Sequence, residues 1–506
     1  MARAFEVDVV QAQVAPTPKR SVSLTRRRPR CYTDTVLKPP EKIEHKCGVA
    51  GIYSRTPLNV PQTLFFPLFA QQHRGQESAG IAYRKNDATV VYKDLGMVSS
   101  VLAKYLTGDR PSNVGIGHVR YSTHGGNKLE NAQPIHVTCN KGDIAVAHNG
   151  NIANTAELKS HLFGEGSIFQ TTSDTELILH LISRSRKTGF YEALKETLVR
   201  VEGAYSMVMI HNNELYAIRD PWGFRPLFIG EKDGLHVVAS ETCALDILKV
   251  SNYRSVRPGE IVHLGPDGAR SEMLDRSERK SQCVFELIYF ARPDSYVFDN
   301  QVHLHRKRMG AALAIADQGI GDVVVPVPDS GTSAALGYAE AAGLPFDFGL
   351  TRNHYAGRSF IMPTTAEREL AVRMKLHPVR EIIAGRRVVL VDDSLVRGTT
   401  ARILVKLLRE AEAREVHIRL SSPEIRWPCF FGIDIPTRGE LISNSMSPVE
   451  IARYIGADTV RFLTLDQLQT CLDEPDGYCY SCFTGRYPMN VPLTPQELQV
   501  GGRTDA

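Results

Sequence analysis

The sequence predicts two layered domains in tandem: an α+β domain over residues 47–282, then an α/β domain with a doubly wound parallel sheet over 283–490. Three observations carry this. Between Cys47 and about residue 280, short apolar runs of strand length recur with only a few long helical patterns among them, as in α+β layers. Beyond that point strand, polar loop and helix alternate, as they do in a parallel sheet with crossover helices. Finally, 506 residues with 42% hydrophobic and 23% charged side chains are enough for more than one core.

Residues 1–46 read as a poorly ordered leader, because Pro16, Pro18, Pro29, Pro39 and Pro40 break any helix. The strand-like runs that follow begin with Cys47-Gly48-Val49-Ala50-Gly51-Ile52-Tyr53. They continue with Val114–Val119, Ile144–His148, Tyr205–Ile210, Leu215–Ile218, Leu235–Ala239 and Ile261–Leu264. The clearest helix among them is Thr175–Arg186, opened by the capping-box pattern Ser173-x-x-Glu176. In the second half, a helix over 302–318 leads to strand Val323–Val327, a Pro/Asp/Ser/Gly loop and a helix near 331–342. Strand Val388–Val391, a second polar loop, helix 400–412 and strand Val416–Leu420 repeat the unit, and residues 491–506 read as a loose tail.

The formal charge of +4 is unevenly placed: residues 1–46 hold ten Lys/Arg against five acids, leaving fifty bases and fifty-one acids for the rest. A neutral body argues against nucleic acid as a partner. No apolar run reaches the ~18 residues of a membrane span, and the N-terminus has no apolar core of the secretory kind. Nine cysteines, an odd and sparse set, suit a reducing interior with thiols kept for chemistry or metal. A cytoplasmic location follows, with an organellar one as the alternative if the basic leader is a transit peptide.

The strongest local signal is Val388-Val389-Leu390-Val391-Asp392-Asp393-Ser394-Leu395-Val396-Arg397-Gly398-Thr399-Thr400. A buried strand delivers two acids at its carboxyl end, where parallel sheets bind ligands. The turn then ends at a helix start, where free N–H groups and hydroxyls suit a phosphate. This string resembles the phosphoribosyl-pyrophosphate motif of type I phosphoribosyltransferases. The resemblance implies that Asp392, Asp393, Ser394, Arg397, Gly398, Thr399 and Thr400 bind that substrate, and that Pro326-Val327-Pro328-Asp329-Ser330-Gly331-Thr332-Ser333 is the pyrophosphate loop. It further implies Mg²⁺ held through the substrate near Ser330, Asp392 and Asp393. Arg352, Tyr355, Arg358, Arg368 and Lys375 fall where that family carries a lid, with Arg352 and Arg358 as substrate contacts. A solvated basic face is the alternative.

Cys47-Gly48-Val49-Ala50-Gly51-Ile52 is similar to the mature start of class II glutamine amidotransferases, which are N-terminal-nucleophile hydrolases of αββα sandwich form. Their thiol attacks the glutamine amide, and the α-amine of the same residue, with a pKa of ~8, moves the proton. Cys47 could act so only after removal of residues 1–46, read as a propeptide. The same resemblance implies Arg120 on the glutamine carboxylate, Asn149 and Gly150 as the oxyanion hole, and Asp174 on the α-ammonium. Gln72–Gly80 also matches that domain and is expected to be a structural loop beside the nucleophile, with no chemical role.

Cys479-x-x-Cys482 alone is compatible with a zinc hairpin, a redox pair or neither. With Cys283, before Tyr289-Phe290-Ala291-Arg292-Pro293-Asp294-Ser295, and Cys429, in Pro428-Cys429-Phe430-Phe431-Gly432-Ile433-Asp434, the set resembles the iron–sulfur form of the glutamine phosphoribosylpyrophosphate amidotransferases. That resemblance implies a [4Fe–4S] cluster on Cys283, Cys429, Cys479 and Cys482, although spacing alone does not separate it from Cys₄ zinc. Such a cluster is expected to be structural and far from both substrate motifs. Cys31, Cys139, Cys243 and Cys471 are expected to be plain thiols.

Taken together, the resemblance implies a pentosyltransferase that hydrolyses glutamine at one site and aminates an activated ribose at the other. It also implies a shielded ammonia path, with Tyr289 and Phe290 as candidate lining, inhibition by purine nucleotides, and a homotetramer. Two rivals are a hexosamine-forming amidotransferase, which lacks the Asp392–Thr400 string, and a non-catalytic regulator of phosphoribosyltransferase fold.

Overall fold

The computed structural model describes residues 47–121, 128–274, 279–315, 317, 319–355, 370, 372–435 and 437–491. The leader with Cys31, the residues Arg358 and Arg368, and residues 492–506 of the tail lie outside the described residues.

Thirteen antiparallel strands build the first domain. In chain order they are β1 (Gly48–Asn59), β2 (Ser78–Lys85), β3 (Ala88–Leu95), β4 (Pro111–Arg120), β5 (Ile135–Cys139), β6 (Gly142–Ile152), β7 (Gly203–His211), β8 (Glu214–Arg219), β9 (Phe228–Lys232), β10 (Leu235–Ala239), β11 (Asn252–Ser255), β12 (Glu260–Gly265) and β13 (Gly268–Met273). One sheet has the order β11-β9-β10-β1-β4-β2-β3 and the other β13-β12-β8-β7-β6-β5. Alternate residues of the two sheets interlock: Val49, Tyr53, Ala82, Val114 and Ile116 pack against Ala145, Ala147, Val208, Ile210 and Ala217. The opposite faces are covered by helices, Val60–Ala70 on the first sheet and Thr175–Arg184 with Phe190–Arg200 on the second. The result is an αββα sandwich.

A four-stranded parallel sheet follows, in the order Val323–Pro326, Arg387–Asp392, Glu415–Leu420, Thr459–Phe462. Side chains alternate, so both faces are apolar. Val324, Val389 and Val391 face the helices Val302–Ala314 and Thr332–Ala342, while Val388, Leu390, Val416 and Ile418 face Thr399–Glu410.

Two expectations need correction. The helical assignment that starts at Val302 runs only to Ala314. The helix after Ser173 has Asp174 at its N-cap and no side-chain cap. There Glu176 accepts the backbone N–H groups of Gln170 and Thr171, so the capping box does not close. Gln72–Gly80 lies beside Cys47 as expected: it forms a 3₁₀ turn leading to β2, and Arg74 donates to the Cys47 carbonyl.

Candidate active sites

Cys47 lies one residue before β1, whose Gly48 pairs with Val119 of β4; Arg120 is thereby the neighbour of Cys47 across the sheet. The thiol points toward the carbonyl oxygen of Tyr121, 3.8 Å away. Burial pushes it up to about 11, against the opposing charges of Arg120 and Arg74, while Asp174 adds to the rise. These charges therefore surround the thiol closely enough to act on it. Arg74 is fully buried and donates from Nε to the Cys47 carbonyl at 2.9 Å. Its guanidinium also pairs with Glu241 at 2.5 Å and Glu286 at 2.8 Å. Both carboxylates are held below their ordinary range by these cations, and His73 acts with Arg74 on Glu241.

Asn149 and Gly150 sit inside β6, opposite Ser206 and Tyr205 of β7. The side-chain nitrogen Nδ2 of Asn149 is buried and has no partner among the described residues. A buried amide left unpaired costs on the order of 1–3 kcal/mol, so its placement calls for a ligand oxygen. At Gly150 a Cβ would lie 2.0 Å from the Ala204 carbonyl oxygen, which admits only glycine. Asp174 accepts the Ile152 N–H at 3.0 Å through one oxygen and the Thr175 hydroxyl at 3.4 Å through the other.

In the second domain Asp392 ends the central strand and is 8% exposed, with Asp393 buried beside it. Asp392 accepts the Ser330 hydroxyl at 3.3 Å and the Asp393 N–H at 2.9 Å, so the loop Pro326–Ser333 and the acid pair meet. Ser394 donates to one oxygen of Asp393; the other, Oδ2, is buried without a partner among the described residues, as is the hydroxyl of Thr399. Gly398, at φ +79°, is the N-cap of helix Thr399–Glu410, which has no side-chain cap. The first N–H groups of that helix, with Thr399 and Thr400, form an anion cradle. Arg397 reaches Glu440 at 3.1 Å, and Arg352 pairs with Asp329 of the loop Pro326–Ser333. The donor set of Ser330, Asp392 and Asp393 is all oxygen and suits Mg²⁺.

The four cysteines converge. Cys283 and Cys479 are register partners in a short parallel pairing of Gln282–Cys283 with Tyr478–Cys479. Cys429 and Cys482 act electrostatically with both, and burial raises all four thiols. All are free of disulfides. Among the described residues no three His, Cys, Asp or Glu side chains are placed to hold a single ion. The expectation that this group is remote from the substrate motifs needs correction, because the turn after Cys429 abuts β6: Asn151 donates to the Phe430 carbonyl at 2.8 Å. Sequence reasoning missed this contact and Arg74 alike.

The model of a glutamine amidotransferase domain matches residues 118–246, and that of a phosphoribosyl transferase domain matches 305–421. The chain is 45% identical over 465 residues to amidophosphoribosyltransferase 2, chloroplastic, of Arabidopsis thaliana, covering 91% of this chain and 82% of that one. To the amidophosphoribosyltransferase of Bacillus subtilis it is 44% identical, covering 89% and 95%. The solved B. subtilis glutamine phosphoribosylpyrophosphate amidotransferase complexed with ADP and GMP superposes with a TM-score of 0.82 at 44% identity, over 88% of this chain and 98% of that one. The chain belongs to the amidophosphoribosyltransferases, glycosyltransferases with glutamine amidotransferase activity that catalyse the first step of purine biosynthesis.

Proposed function

We propose that Cys47 is the nucleophile of glutamine hydrolysis and that Asp392-Asp393 with the Gly398–Thr400 cradle holds phosphoribosyl pyrophosphate. The thiol adds to the amide carbon of glutamine. Asn149 Nδ2 and the Gly150 N–H take the oxyanion, while Arg120 and Asp174 hold the carboxylate and α-ammonium. Collapse expels ammonia, and water then cleaves the thioester to glutamate. At the second site ammonia displaces pyrophosphate from ribose C1 and forms 5-phosphoribosylamine. Ammonia is mostly protonated in neutral water, so a shielded path past Tyr289 and Phe290 serves the transfer. The buried, unpartnered amide of Asn149 is the single observation that supports this most.

Mg²⁺ would be held near Ser330, Asp392 and Asp393, where it neutralises pyrophosphate oxygens. Cys283, Cys429, Cys479 and Cys482 would hold a [4Fe–4S] cluster that ties the C-terminal segment to the domain junction. Removal of residues 1–46 would free the Cys47 amine. Domain limits of 47–282 and 283–490, a homotetramer, a cytoplasmic location and inhibition by purine nucleotides complete the reading; the last is supported by ADP and GMP on the B. subtilis relative.

The test compares two variants. Asn149→Ala is expected to lower glutamine-dependent synthesis about 10²–10³-fold and to spare ammonia-dependent synthesis. Asp392→Ala is expected to lower both. Equal loss in the two assays for Asn149→Ala overturns the oxyanion assignment. Iron and acid-labile sulfide, assayed in the same preparations, decide the cluster.

A further inference from the structure

The turn Cys429-Phe430-Phe431-Gly432 comes from the second half of the chain, yet it is held against the glutaminase domain at Phe430, Phe431 and Gly432. Asn151 Nδ2 donates to the Phe430 carbonyl at 2.8 Å. Arg225 Nη2 donates to the Phe431 carbonyl at 3.0 Å, and the buried Phe431 ring stacks on Phe224 with centroids 4.2 Å apart. Within the turn, the Phe431 N–H points to Cys429 Sγ at 3.4 Å. Gly432 has φ +92°, and a Cβ there would stand 3.1 Å from the Gly150 carbonyl carbon, 3.2 Å from Arg225 Nη2 and 3.3 Å from Gly150 Cα. Gly150 itself has no room on its other side, where the Ala204 carbonyl oxygen would meet a Cβ at 2.0 Å. The backbone of Gly150 is therefore clamped between β7 and a turn some 280 residues away in sequence.

We propose that this turn is the positioning element of the oxyanion hole, with the Phe430 carbonyl and the bare Cα of Gly432 fixing where Gly150 and the neighbouring Asn149 amide point. The inference rests on the oxyanion assignment of Asn149 and Gly150. An oxyanion donor acts only when it is aimed at the place where charge develops, so a shift of well under 1 Å shows in kcat before it shows in substrate binding. Neither Asn151 nor Gly432 touches the phosphoribosyl pyrophosphate cradle described above, so the ammonia step is expected to be indifferent to them. Because the turn begins at Cys429, a group held by the four thiols also anchors the first residue of the clamp. That gives the C-terminal cysteines a bearing on glutamine hydrolysis without any part in its chemistry.

The experiment uses the full chain as Asn151→Ala, Gly432→Ala and, as reference, Asn149→Ala. It measures kcat and KM for glutamine, ammonia-dependent synthesis, and the rate at which a glutamine-like diazoketone labels Cys47 by mass. Asn151→Ala is expected to lower kcat for glutamine roughly tenfold, with KM and ammonia-dependent synthesis within about twofold and slower labelling. Gly432→Ala, which presses a methyl on Gly150, is expected to lower kcat further. An unchanged kcat in Asn151→Ala overturns the proposal, and so does an equal fall of the glutamine and ammonia reactions. Should Gly432→Ala fail to fold, Asn151→Ala decides by itself. If Asn149→Ala leaves kcat for glutamine intact, the oxyanion assignment falls instead, a separate result.

Discussion

At Cys47 the contest between burial and charge is won by burial: two arginines oppose the rise, yet the thiol stands at about 11. At pH 8 it is protonated, so attack on glutamine needs a base at hand, and a free α-amine near pH 8 supplies one. With Lys46 still attached, alkylation of Cys47 by iodoacetamide is expected to climb through pH 10 without levelling. Once the amine is freed, kcat/KM for glutamine should rise with pH through a limb near 8, as the amine loses its proton. A plateau of alkylation near pH 8.5 in the attached form would show an ordinary thiol and remove the need for the amine. The grouping of Cys47, Arg120 and Asp174 was legible in sequence because each stands in its own short motif, and the charges of Arg120 and Asp174 do act on the Cys47 thiol. Arg74 was not: its carboxylate partners Glu241 and Glu286 lie 167 and 212 residues away, and nothing local marks it as their common cation.

Elements were legible where the local signal had no rival. The run Val388–Val391 forms its strand because four β-favouring apolar residues meet two apolar faces. The same Ser/Thr-x-x-Glu/Gln pattern gave opposite outcomes at different places. Ser447 with Glu450 and Thr464 with Gln467 close capping boxes, but Ser173 with Glu176 does not. Glu176 is buried and taken by the N–H groups of the preceding loop, a tertiary demand that outweighs a local bond of about 1 kcal/mol. At the phosphate cradle, Gly398→Ala strains a left-handed residue by roughly 1–2 kcal/mol and presses on Ile442, 3.0 Å from the new Cβ. It is expected to raise KM for phosphoribosyl pyrophosphate about tenfold in both the glutamine and ammonia assays. A KM that rises in the glutamine assay alone would place the effect elsewhere.

Across the whole molecule, the two domains are joined through buried charge. Arg74, Arg225, Glu241 and Glu286 are all buried, and Glu286 takes both arginines at 2.8–3.0 Å. Arg306, also buried, donates to the carbonyls of Leu287 and Ala291, within and just after the short helix Glu286–Phe290 that carries Tyr289, and the charge of Asp393 acts on it. Removing one partner of a buried pair costs about 3–5 kcal/mol because the other is stranded. Glu286→Gln is accordingly expected to lower the urea midpoint and, through Arg74 and the Cys47 carbonyl, glutamine turnover as well. A wild-type midpoint in that variant would mean that the pair is dispensable. The sequence by itself determined the two folds and the family, since apolar periodicity and short motifs act over neighbouring residues. Only the tertiary structure decided that Arg74 bonds the Cys47 carbonyl and that the Cys429 turn packs against Gly150. Those contacts join residues distant in sequence, and burial alone makes them strong.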